Sequence, residues 1–521
     1  MDNIERIDNI LYGVKQNIRI EERGLGRAIY NKMLEFKDRI MQIDTSSGEQ
    51  QTYSDVHKKL IRIALEMQRR GIKTNDIVLT CSYNSMDTIL PIYSTLYLNA
   101  VTVNLDPSIS LRDSIHLMKT ISPKLIFVIP EALDLIEKAT AGLERKPQIV
   151  VMGVSQNYST MFEFLKYNSY EDVFIPEDVS NIYNVSNIFF SSGTTGLPKA
   201  ILHTNYSMLT SCQRVSDYAI SCNTILYYTS FYWISAFLFT TTGILMGSKR
   251  IFDGTFNPTR FMKAVENYKV DSIFLSPTLA MQFTETNTKN YDTKSFKHFI
   301  CGGSTISEIH VNNLKKYFPR TRISIAYGQT ESGGGVSLFT ESSYYLFHKK
   351  LSSCGLPCTN TSIKIIDLES GRRLGPMQRG EVRVKTDALF QGYLDINNTA
   401  EDPFDSDGFL KTGDIGYYDE DNCLYICDRI KEMFKYQKAI VVGIPHEIDD
   451  NHPLALVILR EGYYTTEEEL LAFVNGKLID REKLRAGLKI VKKFPKTPTG
   501  KIVRRMARQV VMSGNLQPLM C

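Results

Sequence analysis

The chain has 521 residues, of which 43% are apolar, so it is long enough for a large hydrophobic core and for two or more domains. Its 61 basic and 57 acidic residues leave a net charge of only +4. No basic run is dense enough for a nucleic-acid or lipid-headgroup surface, so we expect a small-molecule partner and no nucleic acid.

Helix-like and strand-like patterns alternate along the first part of the chain. In Tyr53–Arg70, apolar residues recur at helical spacing, and the apolar run Ile77–Cys81 follows. Such alternation predicts an α/β fold whose large N-terminal domain has two parallel-type sheets flanked by helices. The other predicted helix and strand pairs are Met86–Leu98 with Val101–Asn104, Leu111–Thr120 with Lys124–Val128, Phe261–Tyr268 with Ser272–Leu275, and Ile309–Tyr317 with Arg322–Ala326.

No charged residue occurs between Tyr218 and Ser248, a length that raises the question of a membrane span. Polar residues interrupt this stretch, and its aromatic residues are central instead of forming two interfacial belts. We therefore interpret it as buried core and pocket lining, and we expect no transmembrane segment.

After about residue 350, short strands separated by glycine and aspartate turns predict a β-rich subdomain at about 350–428. We assign 1–428 to the large domain and 429–521 to a small α+β C-terminal domain. In the small domain, strands are predicted at Ala439–Ile444 and Leu454–Leu459. Thr465, Thr466 and the glutamates after them predict the capping box of a helix.

The nine cysteines are scattered, and the N-terminus is rich in charged residues, so we expect a reducing, intracellular compartment. Two Cys-x-x-x-Cys pairs, Cys354 with Cys358 and Cys423 with Cys427, offer thiols for zinc. They lack the two-residue spacing and the nearby histidines of zinc sites, so buried thiols are the favoured interpretation.

A loop rich in glycine and hydroxyl residues follows the apolar pair Phe189-Phe190. Glycines allow backbone N–H groups to approach phosphate closely, and the hydroxyls and a lysine add further donors. The spacing is not that of a Walker loop. The pattern predicts a phosphate-binding site, with a flexible surface loop as the alternative. The residues predicted to contact phosphate are Ser191, Ser192, Gly193, Thr194, Thr195, Gly196 and Lys199.

Four further motifs follow in order: Tyr327-Gly328-Gln329-Thr330-Glu331, Thr412-Gly413-Asp414, Asp428-Arg429-Ile430-Lys431 and Pro498-Thr499-Gly500-Lys501. The five motifs together resemble those of the acyl-CoA synthetase, 4-coumarate-CoA ligase and luciferase family, over essentially the whole chain. The resemblance implies that the protein uses ATP, Mg²⁺ and coenzyme A. A small carboxylic acid would become an acyl adenylate and then a thioester.

The resemblance also implies catalytic roles for individual residues. Lys501 would stabilise charge at the α-phosphate and the carboxylate. Glu331 would ligate Mg²⁺, and Thr330 would bond a nucleotide phosphate. Arg429 would contact the ribose or the phosphates. Lys431 is the predicted hinge residue for rotation of the C-terminal domain before thioester formation.

By the same resemblance, Tyr327 would stack on adenine and Asp414 would accept both ribose hydroxyls. The glycine turn Gly302-Gly303-Ser304 would lie against the adenine and the acyl group. Gly328 and Gln329 complete the predicted nucleotide site, and Lys435 joins Lys431 as a predicted contact of coenzyme A or the hinge.

The predicted acyl pocket has an unusual aromatic residue, Trp233, where many relatives have a histidine, which suggests a bulky apolar floor. Gly333 and Gly334 are expected to leave space for a fatty or arylalkanoic acid, or alternatively to form a mobile loop. The predicted pocket residues are Trp233, Ser235, Gly303, Gln329, Gly333 and Gly334.

The C-terminal domain departs from the family pattern after Tyr436. Only Gln437 and Lys438 precede Ala439, where the pattern has a glycine turn, a strand and an amphipathic helix, so about twenty residues are missing. Three explanations stay open: an altered transcript or gene model, an enzyme that adenylates but transfers poorly to coenzyme A, and a binding protein with impaired turnover. A luciferase-type monooxygenase is a more distant alternative.

The resemblance allows a peroxisomal or a cytosolic location. The chain ends Pro-Leu-Met-Cys, which is not a Ser-Lys-Leu type signal. We expect a monomer or a weak homo-oligomer.

Overall fold

The computed structural model describes residues 4–191, 197–218, 223–285, 291–304, 306–394, 402–430, 436–446, 450–459, 465–477, 483–495 and 504–514. The chain divides into a large unit, Met1–Ile430, and a small unit, Lys431–Cys521. The division falls inside the motif that begins at Asp428.

The first part of the large unit, up to Phe190, alternates helices with short strands. Its strands are β1 (Glu5–Ile7), β2 (Ile10–Tyr12), β3 (Ile40–Asp44), β4 (Gln50–Thr52), β5 (Ile77–Cys81), β6 (Val101–Leu105), β7 (Leu125–Val128), β8 (Gln148–Val151), β9 (Ser159–Thr160) and β10 (Val185–Phe190). Its α-helices are α1 (Leu25–Glu35), α2 (Tyr53–Arg69), α3 (Ile89–Tyr97), α4 (Leu111–Ile121), α5 (Leu133–Thr140) and α6 (Met161–Phe164).

The same alternation continues through the middle of the large unit and then gives way to strands. The strands are β11 (Ala200–Thr204), β12 (Thr224–Tyr227), β13 (Lys249–Phe252), β14 (Ser272–Leu275), β15 (His298–Gly302), β16 (Arg322–Gln329), β17 (Gly334–Leu338), β18 (Leu356–Pro357), β19 (Thr361–Ile366), β20 (Gly380–Thr386), β21 (Gly392–Tyr393), β22 (Leu410–Tyr418) and β23 (Leu424–Arg429). The α-helices are α7 (Asn205–Tyr218), α8 (Ile234–Met246), α9 (Pro258–Tyr268), α10 (Pro277–Ala280), α11 (Glu308–Tyr317) and α12 (Tyr344–Phe347).

Two large sheets form the framework of the unit. One has the strand order β21-β11-β10-β6-β5-β7-β8-β9, and the other β18-β17-β16-β15-β14-β12-β13-β3-β4. In the first sheet, the adjacent strands β10, β6, β5, β7 and β8 are parallel. In the second sheet, the adjacent strands β16, β15, β14, β12, β13 and β3 are parallel. The prediction of two parallel-type sheets flanked by helices is therefore confirmed.

Helix α2 illustrates how local sequence determines these elements. The Thr52 hydroxyl accepts the backbone N–H of Asp55, and the Asp55 carboxylate accepts the backbone N–H of Thr52, which forms a capping box. Leu60, Ile63 and Met67 are fully buried on one face, so the helical spacing in the sequence corresponds to the side that packs on the core.

The β-rich region forms a third, antiparallel sheet of six strands in the order β1-β2-β19-β20-β22-β23. The N-terminal hairpin joins it because Ile10 pairs with Lys364 across β2 and β19. The prediction placed the β-rich subdomain at about 350–428 and missed this hairpin, since pairing across some 350 residues leaves no local sequence signal.

The uncharged stretch from Tyr218 to Ser248 contains β12 and the buried helix α8, which is 13 residues long. Leu238 and Ile244 of α8 belong to the hydrophobic core that includes α2 and α3. Among the residues that the structure describes, no helix is both long enough and apolar enough to cross a membrane.

The small unit contains β24 (Tyr436–His446), β25 (Asp450–Leu459), α13 (Glu467–Lys477), β26 (Leu488–Ile490) and α14 (Arg504–Met512), with the strands in the order β24-β25-β26. Ile440 and Val442 of β24 pack in one cluster with Ala507 of α14. On the opposite face Leu470 of α13 packs with residues of β25 and β26, but Val441 of β24 is 53% exposed. Helix α13 therefore covers this face of the sheet at β25 and β26, whereas the face is exposed to solvent at Val441 of β24.

We predict that Gly26→Ala destabilises the large unit, because a Cβ at this position would lie 2.0 Å from the carbonyl oxygen of Leu96 in α3. The backbone must move, at a cost of about 1 to 3 kcal/mol, which exceeds the helix preference that alanine gains. Urea unfolding of the large unit, followed by fluorescence, measures the change. Gly142→Ala is the matched control, since no heavy atom lies within 4 Å of its Cβ position. Equal midpoints for the two variants would contradict the prediction.

Candidate active site

The glycine-rich loop connects two antiparallel strands. Phe190, at the end of β10, pairs with Ala200, at the start of β11. The Ser191 N–H donates to the Lys199 carbonyl at 3.0 Å, and the Lys199 N–H donates to Ser191 Oγ at 2.9 Å. The two ends of the loop are therefore held together. Residues 192–196 lie outside the described residues, so their predicted phosphate contacts stay predictions.

A second glycine turn follows β15 at the carboxyl edge of the nine-stranded sheet. Gly302 pairs with Ala326 of the parallel strand β16, and a Cβ at Gly302 would lie 2.9 Å from the Ala326 oxygen. Gly303 has φ +96° and no heavy atom within 4 Å of its Cβ position, so the turn is open there. Gly303 and Ser304 are exposed at the edge where β16 continues to Tyr327.

Asp414 is the centre of a hydrogen-bonded group drawn from two sheets. The Tyr327 hydroxyl donates to Asp414 Oδ2 at 2.8 Å, and Gln329 Nε2 donates to the same oxygen at 2.6 Å. Arg429 Nε lies 2.9 Å from Asp414 Oδ1. Gln329 Nε2 also donates to the Thr412 carbonyl at 2.8 Å. Strand β16 of one sheet is thus tied to β22 and β23 of the other.

Burial raises the pKa of the Asp414 carboxyl, and the Arg429 charge opposes that rise. Burial also raises the pKa of Tyr327 well above its usual value, so the phenol stays protonated and donates. Asp414 is only 3% exposed, whereas the Arg429 side chain is 46% exposed. A ribose hydroxyl that bonds Asp414 would compete with these three partners, of which Arg429 has the most exposed side chain. The roles predicted for Tyr327 on adenine and for Asp414 on ribose stay predictions.

Glu331 lies beside the base of the glycine-rich loop. The Tyr393 hydroxyl donates to Glu331 Oε1 at 2.9 Å, and Lys199 Nζ lies 4.8 Å from the centre of the Tyr393 ring. The Phe390 N–H donates to the Glu331 carbonyl at 2.9 Å. Burial and the nearby Glu331 charge raise the pKa of Tyr393, which keeps its hydroxyl a donor.

A single carboxylate suits Mg²⁺, which commonly binds one or two protein carboxylates together with phosphate oxygens and water. In the described part of the chain, no group of three or more His, Cys, Asp and Glu side chains is arranged to hold a metal ion. The chemistry of Glu331 therefore fits Mg²⁺ that is shared with a nucleotide, and does not fit a metal held by protein groups alone.

Two buried side chains that the sequence interpretation missed hold the backbone after Gln329. His203 Nε2 lies 2.8 Å from the Thr330 carbonyl oxygen. Arg214 Nη2 donates to the carbonyl oxygens of Ser332 at 3.0 Å and Gly333 at 2.6 Å. Burial lowers the pKa of His203 to about 4, so its ring is neutral at neutral pH.

Sequence signals for both residues were present. His203 interrupts an apolar strand, and Arg214 is the single arginine or lysine between Lys199 and Lys249. Tyr393 carried no such signal, because tyrosine is common in strands.

The acyl-pocket residues lie at the beginning of α8 and beside β17. Trp233 precedes α8, is 45% exposed, and lies perpendicular to Tyr232 with ring centres 5.1 Å apart. Ser235 is half-buried in the first turn of α8.

The expectation that Gly333 and Gly334 leave empty space is wrong at the two positions themselves. A Cβ at Gly333 would lie 2.5 Å from the Ala388 oxygen, and one at Gly334 would lie 2.6 Å from a methyl carbon of Leu238. Both glycines have positive φ, so close packing and backbone conformation explain them.

Several predicted residues lie outside the described residues: Ser192, Gly193, Thr194, Thr195, Gly196, Lys431, Lys435 and Lys501. Their roles stay predictions. Among the described members, Tyr327, Gln329, Asp414 and Arg429 form one bonded group, and Glu331 and Lys199 meet at Tyr393 in a second.

We predict that Asp414→Asn weakens ATP binding about tenfold to a hundredfold, since hydrogen bonds to a charged group contribute about 1.5 to 3 kcal/mol. The substitution keeps the shape of the side chain but removes the charge that pairs with Arg429. Isothermal titration with ATP measures the affinity. Asp367→Asn, in the turn after β19, is the control. Unchanged affinity in Asp414→Asn would contradict a role of this carboxylate in nucleotide binding.

Comparison with protein-family models gives two matches. Residues 31–394 match the model of the AMP-binding enzyme family, and residues 430–501 match the model of the AMP-binding enzyme C-terminal domain. Together the two matches cover most of the chain.

Similar proteins cover nearly the same length. The luciferin 4-monooxygenase of Photuris pensylvanica is 26% identical over 96% of this chain and 98% of its own. The 4-coumarate-CoA ligase 1 of Petroselinum crispum is 27% identical over 92% of each. Among solved structures, the luciferase-like enzyme from the nonluminescent mealworm Zophobas morio is 37% identical, with a TM-score of 0.78 over 82% of this chain and 100% of that one.

Proposed function

Because the chain belongs to the AMP-binding enzyme family, whose relatives form adenylates, we propose that it activates a hydrophobic carboxylic acid with ATP and transfers the acyl group to coenzyme A. The observation that carries the proposal is the position of Glu331. Its carboxylate is oriented by Tyr393 next to Lys199, at the base of the loop predicted to bind phosphate.

The chemistry explains the residue types. A carboxylate is a poor electrophile, so its oxygen attacks the α-phosphate of ATP, pyrophosphate leaves, and the acyl group gains AMP as a good leaving group. Mg²⁺ bound at Glu331 would neutralise charge on the phosphate oxygens. Lys501 would stabilise the charge that develops at the α-phosphate. The thiol of coenzyme A then attacks the acyl carbon, and AMP leaves.

The uncharged region around α8 supports a hydrophobic acid. Trp233 presents aromatic surface at the start of this helix, and Tyr232, Phe237 and Leu238 are buried beside it or within it. No charged residue lies between Tyr218 and Ser248 to recognise a second polar group on the substrate.

A second candidate function is adenylation, or nucleotide or acyl binding, without efficient transfer to coenzyme A. The open face at Val441 favours it, because the segment absent after Tyr436 corresponds to a strand and a helix in the family pattern. Luciferin oxidation is a third candidate, which rests on the luciferin 4-monooxygenase relatives alone.

ATP–pyrophosphate exchange with a panel of fatty and arylalkanoic acids tests the proposal, followed by detection of the coenzyme A ester. Exchange together with ester formation supports it. Exchange without ester supports the second candidate as an adenylating enzyme, and no exchange with any acid supports a binding protein. Light emission with luciferin supports the third candidate.

We predict that Lys501→Ala raises the adenylation barrier by about 3 to 4 kcal/mol, which slows exchange several hundredfold, because the variant loses the charge proposed to stabilise the transition state. Lys489→Ala is the matched control, since Lys489 lies in the same unit and pairs with Glu467 on the surface. Near-normal exchange by Lys501→Ala would refute the role of Lys501.

For the second candidate as an adenylating enzyme, we predict that thioester formation is slow relative to adenylation, because the small unit would lack the segment expected to border the coenzyme A channel. Rapid-quench measurement of acyl adenylate and of acyl-CoA in the same reaction gives both rates. Accumulation of the adenylate is the expected result. Rapid consumption of the adenylate by coenzyme A would overturn the prediction.

A further inference from the structure

Every backbone carbonyl from Thr330 to Gly333 is held by a partner outside the turn. The carbonyl of Thr330 accepts from His203, that of Glu331 accepts from the Phe390 N–H, and those of Ser332 and Gly333 accept from Arg214. The turn that carries Glu331 is therefore fixed along its whole length.

His203 reaches the turn from β11, where it pairs with Asn187 of β10. A carbonyl oxygen can only accept, so the geometry places the ring proton on Nε2. Nδ1 faces Ser207 Oγ at 3.1 Å, and this hydroxyl is able to donate. The ring is fully buried and bonded at both nitrogens, so its orientation is fixed.

Arg214 reaches the same turn from α7 and is 3% exposed. Its Nη1 donates to Thr386 Oγ1 at 2.7 Å, in addition to the two carbonyls bound by Nη2. Among the described residues, no carboxylate forms an ion pair with this guanidinium. A buried cation costs free energy unless it is well bonded, so stability alone is a poor explanation for an arginine at this position.

We propose that His203 and Arg214 are positioning residues, which fix the Thr330–Gly333 backbone so that the Thr330 hydroxyl and the Glu331 carboxylate meet the phosphates of ATP and their Mg²⁺. The inference rests on the proposed function and deepens it. The side-chain direction of Glu331 is set by its backbone, and a misplacement of about 1 Å can cost about a hundredfold in rate.

The test compares four full-length proteins: the wild type, His203→Leu, His203→Gln and His57→Leu. Leucine removes the donor to Thr330, whereas glutamine can place an amide N–H near the Nε2 position. His57 is the matched control, because it is also a buried histidine, bonded to the Tyr97 hydroxyl at 3.0 Å and unconnected to the turn. Thermal unfolding is recorded with ATP in EDTA and with ATP at increasing Mg²⁺.

We expect ATP to stabilise all four proteins in EDTA to similar extents. The Mg²⁺ concentration that gives half of the additional stabilisation should rise about tenfold in His203→Leu. The loss of one hydrogen bond is expected to weaken Mg²⁺ binding by about this factor. The same concentration should stay near the wild-type value in His203→Gln and His57→Leu. In pyrophosphate exchange, the same order should appear in the Mg²⁺ requirement.

An unchanged Mg²⁺ requirement in His203→Leu would overturn the inference and leave the proposed function intact. An equal rise in His57→Leu would also overturn it, since general loosening of the core would then explain the effect. A wild-type protein that ATP does not stabilise at all would overturn both.

Arg214→Lys provides an independent variant that keeps the charge but replaces the two nitrogens that bond Thr386 and the two carbonyls with a single nitrogen on a flexible stem. We expect the same increase in Mg²⁺ requirement. A wild-type requirement in this variant would remove Arg214 from the inference.

Discussion

The large unit depends on one carboxylate that is buried where two sheets meet. Asp414 comes from β22 of the antiparallel sheet, and its partners Tyr327 and Gln329 come from β16 of the largely parallel sheet. An unpaired charge at this depth would be costly, so the partners have to stay in place. The hydrogen bonds that satisfy Asp414 also fix the direction in which β16 leaves its sheet. The segment from Thr330 to Gly333 follows directly after Gln329, the last residue of β16, so its starting position is fixed as well.

Several elements then meet at this segment without being neighbours in sequence. Residues near 200, 214, 330 and 390 contribute, and each belongs to a different strand, helix or connection. The residues near 203, 214 and 390 each contribute a hydrogen bond to the backbone or to the Glu331 side chain of this segment. Such a site is well ordered before any ligand binds, which is the condition for electrostatic stabilisation of a transition state.

Local patterns in the sequence were sufficient for much of the framework. The helix Tyr53–Arg70 and the apolar strand Ile77–Cys81 were predicted within one residue, because their signals lie in adjacent residues. The contacts of Asp414 could not be predicted in this way. Its partners lie up to 87 residues away, and a Tyr, Gln or Arg in a motif does not reveal whether it contacts a ligand or another side chain. The glycines at 333 and 334 were misjudged for the same reason, since only the neighbouring chains show what fills the space beside them.

The protein contains one tryptophan, the half-exposed Trp233, which directly precedes the first turn of α8. An indole in that position changes its emission when water beside it is replaced by an apolar group. All tryptophan fluorescence of this chain therefore originates beside the predicted acyl pocket. The protein therefore has an intrinsic optical reporter of that pocket, which needs no label.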